Sequence, residues 1–260
     1  MLNTTVSFLL DLNRQFYQQF GAAFAATRQR IQPGVARLLG QVPLEGRWLD
    51  IGCGNGELSR DLRRRGFTGQ YVGLDFSKEM LEAASAILHP PAPSPSHEER
   101  AGGEVAPYQF RLADLSNPLW PDPFPPASFD IALAFAVLHH LPDADLRRQT
   151  LARLRRLLPP GALFFHSEWQ FHNSPRLLAR ILPWETVGLS AGDVDEGDCL
   201  LDWRYALPGQ VEQTGLRYVH RFDLPELAQL AAGSGFEIVE TFESDGQGGR
   251  LGLYQAWRAA

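Results

Sequence analysis

The sequence contains few cysteines and no long apolar run, and these shortages exclude two classes of protein. Its 260 residues include two cysteines, Cys53 and Cys199, which are too few for the disulfide framework of small secreted domains. No stretch reaches the roughly 18 consecutive apolar residues of a membrane-spanning helix. Asp11 and Arg14 interrupt the apolar pattern near the amino terminus, where a secretion signal would be continuous. We therefore expect a cytoplasmic protein without a membrane-spanning segment.

Basic residues are also outnumbered by acidic ones. The chain has 24 lysine and arginine residues against 30 aspartate and glutamate residues, a net charge of -6. This balance lacks the overall positive charge typical of nucleic-acid-binding domains, although it allows a local basic patch. His166 and His172 do not have the spacing of zinc ligands, so we expect no metal site. The length suits one large domain, or a core domain with an insertion.

Short apolar runs rich in strand-forming residues alternate with amphipathic helical patterns. The predicted strands cover residues 47–52, 70–75, 108–114, 129–136 and 161–169, and the helical patterns cover residues 57–65, 78–88 and 145–158. This alternation indicates a parallel sheet with helices on both faces. A last helix and two strands that pair antiparallel are predicted after residue 219.

Two segments interrupt this alternation and set the predicted domain boundaries. Residues 1–44 have helical spacing of apolar residues and predict a helical lid, and residues 45–169 form the core. Within the core, residues 89–107 are rich in proline and serine and predict a flexible surface loop. Residues 170–218 predict a helical cap over the site. Residues 219–260 would then complete the core.

The segment LDIGCGNGELSRDL, residues 49–62, places three glycines after the first predicted strand. A strand that ends in a glycine turn and opens a helix directs backbone amides at a ligand. The spacing of Gly52, Gly54 and Gly56 differs from the G-x-G-x-x-G pattern of dinucleotide enzymes. Asp50, two residues before the first glycine, would also repel a pyrophosphate. A zwitterion with a carboxylate and neighbouring cations suits this loop better.

The chain resembles the class I methyltransferases, which use S-adenosylmethionine, over about residues 45–260. Asp75, at the end of the second predicted strand, resembles the acid that binds the ribose hydroxyls in that family, with Phe76 beside the adenine. Asp114 resembles the acid that accepts from the adenine amine. Residues 129–143, FDIALAFAVLHHLPD, look like the fourth-strand signature of the family.

The resemblance implies a fold and a set of binding residues. The fold is Rossmann-like α/β, with a seven-stranded mostly parallel sheet, an antiparallel terminal hairpin, helices on both faces, an amino-terminal helical lid and a helical insertion after strand 5. The residues implied to bind S-adenosylmethionine are Tyr17, Asp50, Gly52, Cys53, Gly54, Asn55, Gly56, Asp75, Phe76, Met80, Asp114, Leu115 and Phe135.

A narrower resemblance concerns the methyl acceptor. Residues 16–39 are similar to the amino-terminal signature of the tRNA methyltransferases that esterify the 5-carboxymethyl group of a wobble uridine, and residues 217–240, RYVHRFDLPELAQLAAGSGFEIVE, resemble a later segment of that family. A carboxylate is ionised at pH 7 and needs a cation to position it, but no general base. Arg28 and Arg217 are the candidate cations, and His139 and His140 are candidate residues beside the reacting methyl group.

Several alternatives stay open at this point. A small-molecule O- or N-methyltransferase, with its pocket under residues 170–218, is the second hypothesis, and a non-catalytic cofactor-binding partner protein is the third. The tRNA interpretation also implies a small activating subunit, as in eukaryotic members of that family. The basic clusters at residues 63–65, 147–148 and 153–156 are either phosphate contacts or solvated helix faces.

Overall fold

A computed structural model describes residues 1–26, 30–88, 107–205 and 212–260. Arg28 and nearly all of the predicted loop at residues 89–107 lie outside these residues. The helices are α1 (Asn3–Ala26), α2 (Pro33–Leu39), α3 (Glu57–Arg64), α4 (Lys78–Leu88), α5 (Ala144–Arg156), α6 (Pro175–Leu178) and α7 (Leu224–Gly233). The strands are β1 (Arg47–Ile51), β2 (Gln70–Asp75), β3 (Tyr108–Leu112), β4 (Ile131–Phe135), β5 (Leu163–Trp169), β6 (Ile181–Leu182), β7 (Asp198–Tyr205), β8 (Gln213–His220), β9 (Phe236–Ser244) and β10 (Gly252–Ala259).

Seven strands form the main sheet in the order β3-β2-β1-β4-β5-β10-β9. The first five pair in parallel, and β10 pairs antiparallel with both β5 and β9. The predicted sheet, its helices and its terminal hairpin are therefore confirmed. The strand order reverses between β1 and β4, and in open α/β sheets ligands bind at such a point, outside the carboxyl ends of the strands.

Apolar side chains cover both faces of this sheet, because its strands are continuous apolar runs rather than alternating ones. Leu49 and Ile51 of β1 pack on one face with α5 and α7, while Trp48 packs on the other face with α2 and α3. Neighbours in β5 divide in the same way, with Phe164 on the first face and Phe165 on the second. This packing fixes the loops that follow β1, β2, β3 and β4 at one edge.

The insertion after β5 differs from the predicted helical cap. Its helical content is limited to short turns such as α6, and β6, β7 and β8 form a second, antiparallel sheet. Pro175 and Pro183 divide the apolar segment that suggested helices, since proline does not fit inside a helix. β8 also crosses the predicted boundary at residue 218. The prediction of a helical insertion is therefore only partly right.

Helix α1 packs against the second sheet and reaches the carboxyl ends of the main one. Phe16 and Phe20 are buried beside β8, where a Cβ on Gly215 would lie 2.7 Å from the Phe20 ring. Asn13 binds the edge of β8 through its side chain, accepting from the Tyr218 amide at 2.8 Å and donating to the Tyr218 carbonyl at 3.2 Å. The helix thus covers an edge that would otherwise present unpaired backbone groups.

The described part of the chain contains neither a membrane-spanning helix nor a metal-binding cluster. None of its helices combines the length and the apolar character needed to cross a membrane. Within the same residues, no three histidine, cysteine or carboxylate side chains come close enough together to hold a metal ion.

Candidate active site

The glycine turn after β1 is fixed by its own backbone contacts. The amides of Gly52 and Cys53 donate to the Leu74 carbonyl of β2 at 2.7 and 3.0 Å. Gly52 has φ +73°, and a Cβ there would lie 2.5 Å from the Val137 side chain. Gly54 has φ +55° and faces open space. The glycines are needed because side chains rarely adopt this conformation, and because the turn passes close to its neighbours.

The amides of this turn are largely used inside the protein. The Gly54 amide donates to Asp75 Oδ2 at 2.9 Å, and the Gly56 amide donates to the Cys53 carbonyl at 3.1 Å. With the Gly52 amide also bonded, all three glycine amides have partners. The glycines therefore shape the site, while Asp75, which the Gly54 amide binds, lines the adjoining cavity.

A first cavity of about 220 Å³ lies between this turn, the ends of β2, β3 and β4, and helix α1. Among the residues predicted to bind the cofactor, Tyr17, Gly52, Gly54, Asn55, Asp75, Phe76, Met80, Asp114, Leu115 and Phe135 line it. The other three predicted residues, Asp50, Cys53 and Gly56, do not. Sequence positions that are far apart thus converge on one space.

Asp75 and Asp114 present carboxylates to this cavity in different electrostatic states. Burial raises the pKa of Asp75 above its usual value, although the amides of Ser77 and Gly54 oppose the shift. Burial also tends to raise the pKa of Asp114, but hydrogen bonds from Ser116 and Arg14 outweigh it, so that the pKa is lowered. Arg14 of α1 binds Asp114 Oδ2 at 2.6 Å. Asp114 is therefore the more fully charged carboxylate.

The three predicted residues outside the cavity lie just behind it. Asp50 is 3% exposed and accepts a hydrogen bond from the Tyr71 hydroxyl. Burial raises the pKa of Asp50 to about 7, against the effect of that hydrogen bond. Burial likewise raises the pKa of the Cys53 thiol, which leaves it protonated and unreactive at neutral pH. Gly56 precedes α3 with φ +74°.

A second cavity of about 450 Å³ adjoins the first. The two share Tyr17, Phe135, Ala136 and His140. Ala136, directly after β4, has φ +59°, a conformation that costs free energy in a non-glycine residue and that clusters at functional sites. Because the two cavities share these four lining residues, a ligand in one cavity would lie next to a ligand in the other.

His140 and Tyr17 form the wall between the cavities. The Tyr218 carbonyl lies 3.3 Å from His140 Nδ1, and the Tyr17 hydroxyl lies 2.9 Å from Nε2. Because a carbonyl only accepts, a neutral His140 carries its proton on Nδ1 and accepts from Tyr17 at Nε2. This tautomer orients the Tyr17 hydroxyl at the junction.

His139 and Glu168 lie side by side in the wall of the second cavity, in the core of the molecule. Glu168 is 1% exposed, with Oε2 at 3.1 Å from His139 Nδ1 and Oε1 at 3.0 Å from His166 Nδ1. Burial raises the pKa of Glu168 well above its usual value and lowers the pKa of His166 to about 3. His166 is therefore neutral at pH 7, and burial favours the neutral form of Glu168 beside it.

Arg217 supplies positive charge to the second cavity. It lies on β8, is 5% exposed, and has its guanidinium carbon 4.7 Å from the Trp169 ring centroid and 5.5 Å from that of Phe16. The aromatic rings stabilise the cation through their faces. Of the two arginines predicted to position an acceptor, Arg217 thus lies in the site and Arg28 is outside the described residues.

Some lining residues were missed by the sequence reasoning. Leu10, Asn13 and Arg14 of α1 line the first cavity beside Tyr17. Their spacing of i, i+3, i+4 and i+7 places them on one face of a helix. The signal that could have found them is the pair of polar residues, Asn13 and Arg14, on an otherwise apolar face.

Comparisons with known proteins agree with this geometry. A family model described as a methyltransferase domain matches residues 24–241. A protein of Encephalitozoon cuniculi that carries the general name of methyltransferase is 27% identical over 228 residues, 87% of each chain. The tRNA (carboxymethyluridine(34)-5-O)-methyltransferase of Schizosaccharomyces pombe is 27% identical over 62% of this chain and 60% of its own. Trans-aconitate 2-methyltransferase of Methylobacterium radiotolerans is 33% identical over 60% of this chain and 48% of its own.

Solved structures show the same fold. A SAM-dependent methyltransferase from Methanosarcina mazei is 25% identical and superposes with a TM-score of 0.58 over 88% of this chain and 97% of that chain. A chain from the complex of the Haloferax volcanii Trm112 methyltransferase activator with a methyltransferase superposes with a TM-score of 0.61, covering 95% of this chain and 96% of that chain, at 17% identity.

Proposed function

Since this chain belongs to the methyltransferase family and is an S-adenosylmethionine-dependent enzyme, we propose that it esterifies a carboxylate on a modified wobble uridine of tRNA. The observation that carries the proposal is Arg217, a buried cation in the second cavity, directly beside the cavity that suits the cofactor. An arginine fork grips a carboxylate with two hydrogen bonds.

The first cavity fits S-adenosylmethionine by the chemistry of its side chains. Asp75 suits the ribose hydroxyls, Phe76 and Met80 offer apolar surface to the adenine, and Asp114 can accept from an amine. When bound, the cofactor supplies an electrophilic methyl group on a sulfonium. The residues of the chain then have to align the acceptor and exclude water.

The electrostatics of the second cavity favour an acceptor that arrives already ionised. Burial favours the neutral form of Glu168, which weakens its repulsion of a carboxylate. Arg30 and Arg217 bring positive charge to the same cavity, against the one carboxylate of Asp245. His139 and His140 hold Glu168 and Tyr17 respectively and thereby shape the cavity. A carboxylate nucleophile needs no proton removed, so these histidines act in this proposal by positioning.

The tRNA part of the proposal rests on the relative and the motifs. The Schizosaccharomyces pombe relative is named for a carboxymethyluridine acceptor. In the segment similar to that family, Arg217 faces the second cavity, and Tyr218, His220 and Glu226 form a buried network with Asp198. The motif thus supplies both a cation and the support of the strand that carries it.

Methyl transfer to defined acceptors tests the proposal. Purified protein would be given labelled S-adenosylmethionine with a tRNA that carries 5-carboxymethyluridine, the same tRNA without the modification, and a mixture of small carboxylic acids. We expect label only in the modified tRNA, released as methanol by mild alkali because the product is an ester. Label that resists alkali, or that enters the unmodified tRNA equally, would contradict the proposal.

A free carboxylic acid is the second candidate acceptor, because the Methylobacterium radiotolerans relative is named for trans-aconitate. In the same experiment, this second hypothesis predicts alkali-labile label in the small carboxylic acids and none in tRNA. A requirement for a small activating subunit is also part of the proposal, since a chain of the same fold was solved with Trm112. Transfer would therefore be measured with and without such a subunit.

An arginine-to-lysine change separates the acceptor role of Arg217 from a role in folding. Arg217→Lys keeps the charge and loses the fork, so we expect kcat/KM for the acceptor to fall about 10- to 100-fold. Cofactor affinity should change less than twofold. Arg148→Lys, at an exposed arginine of α5 paired with Asp145, is the matched control. Equal losses of cofactor affinity and rate would remove Arg217 from the acceptor site.

A further inference from the structure

A groove of about 750 Å³ runs from the second cavity along the second sheet. We call it the arginine groove, because Arg176, Arg180, Arg204, Arg217 and Arg250 line it. Two aspartates, Asp202 and Asp245, also line it, so its formal charge is three units positive. The whole chain has a net charge of -6. Positive charge is therefore concentrated on this surface against the overall balance.

The acidic residues of the groove leave much of the positive charge of the arginines available to an anionic ligand. Asp202 is 6% exposed and is shared by Arg180 at 3.3 Å and Arg204 at 2.7 Å. Arg204 also lies 4.0 Å from Glu212, but both of these side chains are exposed. Each guanidinium has five N–H donors, so these contacts leave donors for a ligand. Arg250 pairs with Glu243 at 3.0 Å, but both side chains are exposed, and such pairs contribute little. A polyanion can replace them at small cost.

The arginine groove is continuous with the second cavity. Trp169, Arg217, Asp245, Gly246 and Leu251 line both. Arg217 lies at the junction, so a ligand whose end group reaches Arg217 has the rest of its length in the groove. This arrangement suits a long, anionic acceptor better than a compact one.

We propose that the arginine groove holds the phosphodiester backbone of the RNA whose modified base enters the second cavity. The inference rests on the proposed function and adds the path of the substrate. The planar guanidinium matches phosphate oxygens with two hydrogen bonds, and several arginines in a row can follow successive phosphates.

This path differs from the basic clusters that the sequence suggested as phosphate contacts. Arg147 is 2% exposed and pairs with Glu226 at 3.3 Å, so this residue lies neither at a phosphate-binding surface nor on a solvated helix face. The arginines of the groove are scattered over residues 176–250 and become neighbours only through folding.

Binding of tRNA to groove variants tests the inference. Arg176→Gln, Arg250→Gln and the double variant keep a polar side chain at each position and remove the charge. At about 0.15 M salt we expect the double variant to raise the Kd for tRNA on the order of tenfold. The slope of log K against log salt should become shallower by about 0.7 to 0.9 for each arginine removed. The matched control is Arg148→Gln, which removes an exposed arginine paired with one carboxylate on another face.

A minimal acceptor separates this inference from the proposed function. The nucleoside 5-carboxymethyluridine has no phosphodiester backbone, so its methylation should be equal in the double variant and the natural protein. If both transfer to the nucleoside while the double variant binds tRNA with unchanged Kd and salt slope, the groove inference is wrong and the proposed function stands. If the natural protein methylates neither acceptor, with or without the activating subunit, the proposed function fails. Poly-glutamate that competes as well as RNA of equal charge would also overturn the inference.

Discussion

Asp75 joins the glycine turn to the first cavity through one carboxylate. Oδ2 accepts from Gly54 and Oδ1 accepts from Ser77, both at 2.9 Å. A carboxylate oxygen can accept more than one hydrogen bond, so the same group can fix the turn and bind hydroxyls. Asp75 is the last residue of β2, so its carboxylate lies between the glycine turn and the first cavity.

Asp75→Asn should weaken S-adenosylmethionine binding. Hydrogen bonds to a charged group contribute about 1.5 to 3 kcal/mol each, so we expect the Kd to rise about 10- to 100-fold in calorimetry. Asp122→Asn, at an exposed position, is the control and should leave the Kd unchanged. Unaltered affinity in Asp75→Asn, with a normal melting temperature, would show that Asp75 does not bind the cofactor.

Tyr17 lines both cavities, and its hydroxyl lies 2.9 Å from His140 Nε2. Tyr17→Phe removes that hydroxyl and keeps the ring. Because the hydroxyl lies at the junction, we expect kcat to fall about tenfold, while the Kd for the cofactor changes less than threefold. Single-turnover kinetics and calorimetry measure the two quantities. A loss confined to cofactor affinity would place the hydroxyl with the cofactor instead.

Several residues of the site could be predicted from the sequence because the carboxyl ends of parallel strands meet at one edge. Asp75, Asp114 and Phe135 each follow or end a strand that was visible as an apolar run. Arg14 was not predicted, since the sequence does not state which face of α1 meets the sheet. The position of Asp50 behind the cavity depends on the Tyr71 side chain, and no local pattern reveals such a contact.

At the scale of elements, helix α1 and strand β8 depend on each other. Asn13 on α1 is 5% exposed and bonds both backbone groups of Tyr218, and it also lies 3.4 Å from the His140 carbonyl. One side chain thus joins the helix, the second sheet and the turn after β4. The first cavity keeps its wall through this contact.

Asn13→Ala should destabilise the protein by about 2 to 4 kcal/mol, because two buried backbone groups lose their partners. Differential scanning calorimetry would show a lower melting temperature than that of Gln15→Ala, which truncates an exposed amide on the same helix. If the two variants melted together, the contact with Tyr218 would contribute nothing.

The second sheet was not predicted because local patterns conflict there. Leu200 and Leu201 are both buried, so β7 does not alternate as a half-exposed strand should. The apolar residues at 169–184 fit a helical period equally well. β7 pairs antiparallel with β8, so that Asp198 lies opposite His220. A short segment of sequence does not reveal pairing between residues so far apart.

At the scale of the whole molecule, a buried network joins the two sheets. His220 of β8 is 1% exposed, with Nδ1 at 2.7 Å from Asp198 of β7 and Nε2 at 2.9 Å from Glu226 of α7. Arg147 of α5 also binds Glu226. Burial tends to lower the pKa of His220, but the hydrogen bonds with Asp198 and Glu226 outweigh it, and the pKa is raised.

The raised pKa of His220 predicts a pH-dependent contribution to stability. The contribution is fully present below the unfolded pKa, about 6.5, and is lost as pH rises through the higher folded value. His220→Gln should therefore lower the melting temperature most at acidic pH, by roughly 5 to 10 °C. The loss should be smaller at a pH above the folded pKa of His220. Thermal melts from pH 5.5 to 9 measure this difference.

His172 provides a control of opposite sign. Burial lowers the pKa of this half-buried histidine, so folding disfavours its protonation and its presence costs stability as pH falls below about 6.5. The difference between the natural protein and His172→Gln should thus favour the variant at acidic pH. A His220→Gln deficit that grows with rising pH would contradict the assignment of a charged His220.

The place of β10 in the sheet has a consequence for synthesis. This strand lies between β5 and β9, and its Trp257 is fully buried against Phe164 and Phe236. While residues 252–259 are still inside the ribosome, β5 has an unpaired edge, which is a template for aggregation. The core therefore stays incomplete until residues 252–259 have left the ribosome, and until then the open edge of β5 favours association between nascent chains.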